Sequence, residues 1–336
     1  MENYYFGVDI SKRTLDIALV KDGSIISTAV IENTKIAIRD FFTPFVQQFQ
    51  MAHQQGWVCM EHTGIYNAPM LEELFKLKLH ICVEPALQIK QSMGITRGKS
   101  DIIDARRIAL YAYKNREFLK IWKPQRVNLQ MLKALLAHRN RLLKIKMQLT
   151  TPIQESIGFL DASISKSLKK TSQATLKALL EDLAKVEKQI DLVIQQDESI
   201  RIQFNRATSV TGIGKITALH MIIASGEFER IRSPKQFACH AGVAPFEKSS
   251  GSSIRGKSKV SKMADLSLKR LLHMAALSAI HCPGELMDYY QRKLALGKNK
   301  MSVLNAVRNK LITRVYACIS QQRDYQKNYS NALLQP

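Results

Sequence analysis

With 336 residues and 46% hydrophobic side chains, the chain is long enough for two or three domains and too ordinary in composition to be disordered throughout. No run of about 18 apolar residues occurs, which argues against a transmembrane helix. The opening MENYYFGVDI is neither a signal nor a transit peptide, so a bacterial cytoplasm is the expected compartment.

The formal charge is +22, and it is unevenly spread. Residues 1–120 hold 15 basic and 13 acidic side chains, residues 121–200 hold 13 and 8, and residues 201–336 hold 22 and 7. A carboxylate-bearing front and a basic back suit an enzyme that grips a polyanion, although charge alone does not specify chemistry. The five cysteines are widely spaced and odd in number, so reduced, buried thiols are expected rather than a disulfide framework or zinc knuckle. No H-x3-H pair supports a histidine metal site.

In chain order, YYFGVD at 4–9, TLDIALV at 14–20 and SIISTAVI at 24–31 read as three strands, the last two joined by the turn KDG. Asn33 and Thr34 can cap a helix over roughly 35–50. WVCME at 57–61 is a fourth strand, a helix follows near 68–78, HICVE at 80–84 is a fifth strand, and another helix starts from Pro85. Three antiparallel strands followed by alternating helix and strand is the pattern of an RNase H-like α/β domain. Ile102, Ala105, Ile108, Ala109 and Ala112 then fall at helical spacing, and Pro124 ends that element. Residues 125–200 read as mostly helical with a weak region from Thr150 to Ser172. Leu176, Leu179, Leu183, Val186, Ile190 and Val193 form a heptad seam that could pack within the chain or against another copy. Thr211-Gly212-Ile213-Gly214 resembles a helix–hairpin–helix turn, in which Gly212 and Gly214 would let backbone N–H groups approach a phosphate; a plain helix–helix turn fits nearly as well. Residues 242–262 lack periodicity, and helices near 262–281 and 300–322 close the chain.

Two groups of residues could carry chemistry. Asp9 and Glu61 end the first and fourth strands, and Asp101 and Asp104, at i and i+3, share one helix face. Carboxylate oxygens are what magnesium prefers, and a pair of ions can polarise the attacking and leaving oxygens of a phosphodiester. Taken singly, each of these residues could equally be a cap, a turn residue or a solvated charge. The second group is AGVAPFEKSSGSSIRGKSKVSK at 241–262, where Ser249 and Ser250 precede Gly251 among Lys248, Arg255, Lys257, Lys259 and Lys262. From composition this stretch is either a phosphate-contacting loop or a site of serine attack on a held phosphate. Lys12, Arg106 and Arg107 could touch phosphate beside the carboxylates, or simply be solvated.

GVDISK at 7–12, MEHTG at 60–64, KSDIIDA at 99–105 and AGVAP followed by SSG at 241–251 together resemble the DEDD-type, RuvC-like insertion-sequence transposases, a family similar to the pilin-gene invertases and to bridge-RNA-guided recombinases. The resemblance runs through nearly the whole chain in the family's order. It implies a RuvC-like catalytic domain over 1–120, a helical coiled-coil segment over 121–200, a mainly helical transposase domain with a serine loop over 201–325, and a tail over 326–336. It also implies that Asp9, Glu61, Asp101 and Asp104 bind magnesium, with manganese able to substitute. Ser250, five residues after Pro245, would be the nucleophile, with Ser249 a complication because the family usually shows one serine before that glycine. A composite site shared between protomers of a dimer or tetramer is implied as well, acting on donor and target DNA selected by a structured non-coding guide RNA.

Three other readings compete. A hydrolytic nuclease or junction resolvase needs only the four carboxylates. A sugar-kinase-like ATPase would want glycines after Asp9, where Ser11, Lys12 and Arg13 stand. The last is a nucleic-acid-binding protein without catalysis.

Overall fold

The five expected strands of the N-terminal region all form: β1 Asn3–Ile10, β2 Thr14–Lys21, β3 Ser24–Glu32, β4 Gln55–Glu61 and β5 His80–Glu84. The computed structural model describes residues 3–51, 55–92, 100–244, 246–250, 254–259 and 264–326. The chain divides into two compact units, Met1–Pro124 and Gln125–Pro336.

In the first unit the sheet order is β3-β2-β1-β4-β5. The β1–β2 and β2–β3 pairs are antiparallel, whereas β1–β4 and β4–β5 are parallel. The parallel pairs are made possible by the crossovers α1 Lys35–Met51 and α2 Ala68–Lys76. Period-two alternation sorts the layers. Tyr4, Phe6, Val8 and Ile10 of β1 join Ile38, Phe42, Met70 and Leu74 on one side of the sheet. Tyr5 of β1, Ala18 and Val20 of β2, Cys59 of β4 and Cys82 of β5 pack on the other side, with Ile89 of α3 Ala86–Ser92 and with Ala105, Ile108, Ala109 and Ala112 of α4 Asp101–Lys114. This is the RNase H-like arrangement that the strand pattern predicts. All five cysteines are free, and Cys59, Cys82 and Cys318 are buried, in keeping with structural thiols.

The second unit is mainly helical: α5 Val127–Ser156, α6 Ala162–Gln196, α7 Glu198–Ser209, α8 Lys215–Ser225, α9 Pro234–His240, the hairpin β6 Phe246–Ser250 and β7 Ile254–Lys259, then α10 Leu266–His281, α11 Glu285–Ala295 and α12 Lys300–Ser320. The structure corrects the reading in three places. The weak region narrows to residues 157–161, because α5 continues through Pro152 and α6 restarts behind the Asp161 cap. Residues 246–250 and 254–259, expected as irregular, pair as two antiparallel strands. An unexpected helix, α11, follows Cys282-Pro283-Gly284, a break that hides it from periodicity.

The heptad seam packs within the chain. Leu179, Leu183, Val186, Ile190 and Val193 of α6 meet Leu132, Leu135, Leu136 and Leu142 of α5. At the opposite end of that helical hairpin, Ile157, Phe159, Leu160, Ile164 and Leu168 are exposed. Near its base Arg126, Asn128 and the N–H of Ile200 all converge on the buried Asp197, and Arg126 also pairs with Glu227 at 2.6 Å. A second core gathers α8, α9, α10 and α12 around Phe237, Leu272, Val307 and Leu311.

Candidate active site

Asp9 lies on the α4 side of β1, and the register Val8↔Met60 sets it beside Glu61 at the carboxyl end of β4. Asp101 and Asp104 occupy the first turn of α4, where the positive end of the helix dipole favours carboxylates. The Ser100 hydroxyl caps this turn by accepting from the Ile103 N–H. Burial first, then the charges of Asp101, Asp104, Glu61 and Asp16, push the Asp9 carboxyl up to about 6. Burial and then Asp104 raise Glu61. Asp9 therefore lies within electrostatic reach of the other three carboxylates predicted from sequence, and Glu61 within reach of Asp104. Among the described residues, however, no three His, Cys, Asp or Glu side chains are placed so that they could hold a metal ion together.

Residues outside the predicted set position these carboxylates. Gly7, two residues before Asp9, is where α4 crosses β1: a Cβ there would lie 2.1 Å from the Ala109 nitrogen and 2.3 Å from the Ala105 oxygen. Only glycine permits that approach, and the approach brings the first turn of α4 to the end of β1. Asn67, 3% exposed, donates to the Glu61 carbonyl at 2.8 Å and accepts from the Thr63 N–H at 2.7 Å and the Thr63 hydroxyl at 2.8 Å. Asn33 donates to the Ser11 carbonyl at 2.9 Å and the Tyr66 carbonyl at 3.1 Å, tying the turn after β1 to the loop after β4. Nothing local in the sequence marks these roles, since each depends on a backbone partner in another element, as Asn33 does on Ser11 and Gly7 on Ala105 and Ala109.

Two further carboxylates share the row. Asp16 is the register partner of Asp9, and Glu84 is that of Glu61, so β2, β1, β4 and β5 each place one at the same edge. Of the candidate phosphate contacts, Lys12 is exposed in the β1–β2 turn and Arg106 is exposed on α4. Arg107 instead pairs with Asp104 at 2.8 Å.

The serines lie in the second unit. On the hairpin Ser249 pairs with Arg255, Ser250 with Ile254, Lys248 with Gly256 and Phe246 with Lys259. Lys257 is in β7, while Lys262 and Gly251 lie outside the described residues. Both feet of this segment are anchored: Asn305 of α12 donates to the Val243 carbonyl at 2.7 Å, and the Asp265 N–H bonds the His240 carbonyl at 2.9 Å. Gly212 and Gly214 serve different ends. Gly212 has φ +94°, and a Cβ would strike the Ala275 oxygen of α10 at 2.6 Å, so it is a packing residue. Gly214, the N-cap of α8, has open space around it. Lys215, which follows, is held by Glu187 at 3.0 Å and Asp191 at 2.7 Å.

A sheet of this order, with carboxylates ending two adjacent parallel strands and a further pair opening the helix laid across them, defines an RNase H-like domain with a carboxylate edge. Comparison with known proteins carries this further. Residues 6–161 match the DEDD-type transposase domain of IS110 elements, and residues 205–291 match the Transposase IS116/IS110/IS902 family. The chain belongs to the DEDD-type insertion-sequence transposases, and is an enzyme of that recombinase class. It is 25% identical to the pilin gene-inverting proteins of Moraxella lacunata and Moraxella bovis, in each case across 97% of this chain and 99% of the relative. The solved RuvC of Thermus thermophilus in complex with a Holliday junction substrate aligns with 35% of this chain and 99% of its own at 12% identity, with a TM-score of 0.28. No helix among the described residues is long and apolar enough to cross a membrane.

Proposed function

We propose that the chain is the recombinase of an insertion sequence, cutting and rejoining DNA through a covalent phosphoserine. The observation that carries this reading is the carboxylate edge: Asp9 and Glu61 end neighbouring parallel strands, and Asp101 and Asp104 open the helix packed against them. The donor set is all hard oxygen, and the Asp9 carboxyl, raised by burial first and then by its acidic neighbours, is a group whose charged form a divalent cation would favour. By the chemistry of the donor set, Asp9, Glu61, Asp101 and Asp104 would be the residues to hold magnesium, with manganese as substitute. Bound there, the metal supplies charge stabilisation to the pentavalent phosphate and its leaving oxygen.

The Ser250 hydroxyl then attacks a DNA phosphorus. An O–P bond to the serine forms, the bond to one DNA oxygen breaks, and the serine proton leaves to a nearby base as the DNA oxygen takes one up. The hydroxyl of the partner strand attacks the phosphoserine in turn, restoring a phosphodiester and releasing the serine, so the bond energy is conserved without ATP. The basic surplus of residues 201–336 supports a grip on donor and target DNA and on a structured guide RNA. A composite site, built by carboxylates and serine from different protomers of a dimer or tetramer, follows the family pattern. The exposed Ile157, Phe159 and Leu160 offer such an assembly an apolar surface. The boundaries 1–120, 121–200 and 201–325 remain our division into catalytic, helical and serine-bearing domains, with the bacterial nucleoid as the place of action.

The test is incubation of the protein with DNA from its element's ends, the adjoining non-coding RNA and magnesium, resolved on denaturing gels. A covalent protein–DNA band that vanishes in Ser250→Ala and in Asp9→Ala is expected. Persistence in Ser250→Ala but not in Ser249→Ala moves the nucleophile by one residue. Cleavage with no covalent band in any protein would replace this reading with a hydrolytic nuclease.

A further inference from the structure

The helical hairpin of α11 and α12, two helices packed on each other, concentrates positive charge. Residues 285–314 hold seven basic and two acidic side chains. Arg314 is taken up by Glu285, and Arg308 is buried. The other five, Arg292, Lys293, Lys298, Lys300 and Lys310, form no ion pair among the described residues. Asp288, the remaining acid, stands in the first turn of α11, where the helix dipole favours it. Three of the five cations meet at one ring. Tyr289 packs against the core of the second unit, and Lys310 Nζ lies 4.6 Å from its ring centre. Lys293 Nζ stands at 5.9 Å and the Arg292 guanidinium at 6.0 Å from the same centre.

The helix dipole accounts for Arg292 and Lys293, which lie in the last turn of α11. It does not account for Lys310, which comes from the middle of α12 to join them. The face of the ring attracts each cation, yet the three repel one another, and an anion laid over them relieves that repulsion. The turn between the helices is fixed as well. Gly297, at φ +71°, donates to the Leu294 carbonyl at 2.8 Å, and the Lys298 N–H donates to the Lys293 carbonyl at 3.2 Å. The Asn299 side chain caps α12 by accepting from the N–H groups of Met301 at 2.9 Å and Ser302 at 3.3 Å. Lys298 and Lys300 flank that cap, so their main chain is ordered before any ligand arrives, which lowers the cost of binding.

We propose that the α11–α12 helical hairpin is a docking surface for duplex DNA, with Arg292, Lys293 and Lys310 around Tyr289, and Lys298 and Lys300 in the turn, meeting the phosphate backbone. The inference rests on the reading of the chain as a DNA enzyme and is independent of the serine chemistry. The Tyr289 ring is occupied by its cations and by the core, so it is not free to stack on an unpaired base, as single-strand binding favours. Contact is with phosphate and carries no sequence readout. A transposase acts on DNA, which makes a DNA duplex rather than an RNA stem the occupant.

The test is binding of the full chain to a labelled DNA duplex and to an RNA stem of equal length, followed by fluorescence anisotropy between about 50 and 200 mM salt. Three proteins are compared: wild type, the triple variant Arg292→Gln, Lys293→Gln, Lys310→Gln, and the triple variant Lys166→Gln, Lys169→Gln, Lys170→Gln. The last loses the same charge from exposed positions on α6. With one phosphate neutralised by each cation, the α11–α12 variant should reduce the salt slope on DNA by about 3, and the α6 variant should keep the wild-type slope. The loss of affinity should be similar on unrelated DNA sequences. Equal loss of slope in both triple variants would show that overall charge, not this surface, drives binding. A wild-type slope in the α11–α12 variant would place the contacts elsewhere, and a loss confined to the RNA stem would give the surface to RNA. Each of these outcomes overturns the inference and leaves the DNA-enzyme reading standing. Failure of the wild type to bind either nucleic acid would overturn both.

Discussion

At the scale of single residues, the carboxylate edge is a place where folding works against electrostatics. Asp9 is half-buried, and its carboxyl is raised from an ordinary 3.8 to about 6 by burial and by four acidic neighbours. A raised acid binds its proton more tightly in the folded chain than in the unfolded one. Its contribution to stability is therefore complete below about 3.8 and is lost as the pH rises through about 6. In the absence of metal, Asp9→Asn should stabilise the protein at pH 8, by about 1–2 kcal/mol once the solvent screening of this half-exposed group is allowed for, and by little at pH 4, as read from urea unfolding at the two pH values. Equal effects at both would mean that the repulsion is absent. Saturating magnesium should reverse the sign at pH 8, since the variant then forgoes cation binding that stabilises the wild type. Gly7 marks a different kind of constraint. A methyl group there meets main-chain atoms of α4, which cannot rotate aside. Gly7→Ala should cost about 3 kcal/mol and displace Asp101 and Asp104 from Asp9. A melting temperature within a degree of wild type would show that α4 shifts freely.

Secondary-structure elements show which parts of this design can be read locally. The strands from Tyr4, Thr14, Ser24, Trp57 and His80 announce themselves because alternation and turn residues are local signals, and α4 does so through its spacing of Ile102, Ala105 and Ile108. The four carboxylates stood out because they sit at the ends of those elements. What stayed hidden depends on pairing across the sheet. Asp16 looks like an ordinary polar position in an alternating strand until β2 is laid beside β1. Asn67 looks like a loop residue until it is seen holding the Glu61 carbonyl. The hairpin β6–β7 was unreadable because lysines, serines and glycines carry no apolar alternation to reveal a strand. The heptad seam could not name its own partner, and α5 turned out to supply it. Asn67 makes the point testable. Its amide group satisfies Thr63 and Glu61 together, and Asn67→Ala leaves buried polar groups unpaired at a cost of about 1–3 kcal/mol. DNA cleavage should fall more than stability accounts for when assayed well below the melting temperature, because the loop after β4 no longer fixes Glu61. Asn67→Asp, which keeps the acceptor for Thr63 but loses the donor to Glu61, should recover stability in part and cleavage least.

For the molecule as a whole, the two units divide the labour by charge. The carboxylate edge belongs to a nearly neutral stretch, with 15 basic and 13 acidic side chains in residues 1–120, and an excess there would compete with the cation for the site. The basic surplus is concentrated in residues 201–336, where it can meet phosphate without neutralising the carboxylates. Binding to nucleic acid should then be driven by counterion release, with affinity falling steeply and linearly with salt on logarithmic axes. The hairpin cations Lys248, Arg255 and Lys257 are the sharpest place to test this. If each neutralises one phosphate, changing all three to Gln should reduce the slope by about 3, and the loss of affinity should be similar on unrelated DNA sequences. Fluorescence anisotropy with duplex DNA between about 50 and 200 mM salt measures both quantities. An unchanged slope would place the phosphate contacts elsewhere on the basic half and leave the hairpin as a carrier of Ser250 alone. A reduced slope with unaltered Mn2+ binding would show that substrate grip and cation site are built from separate parts of the chain, as the charge distribution implies.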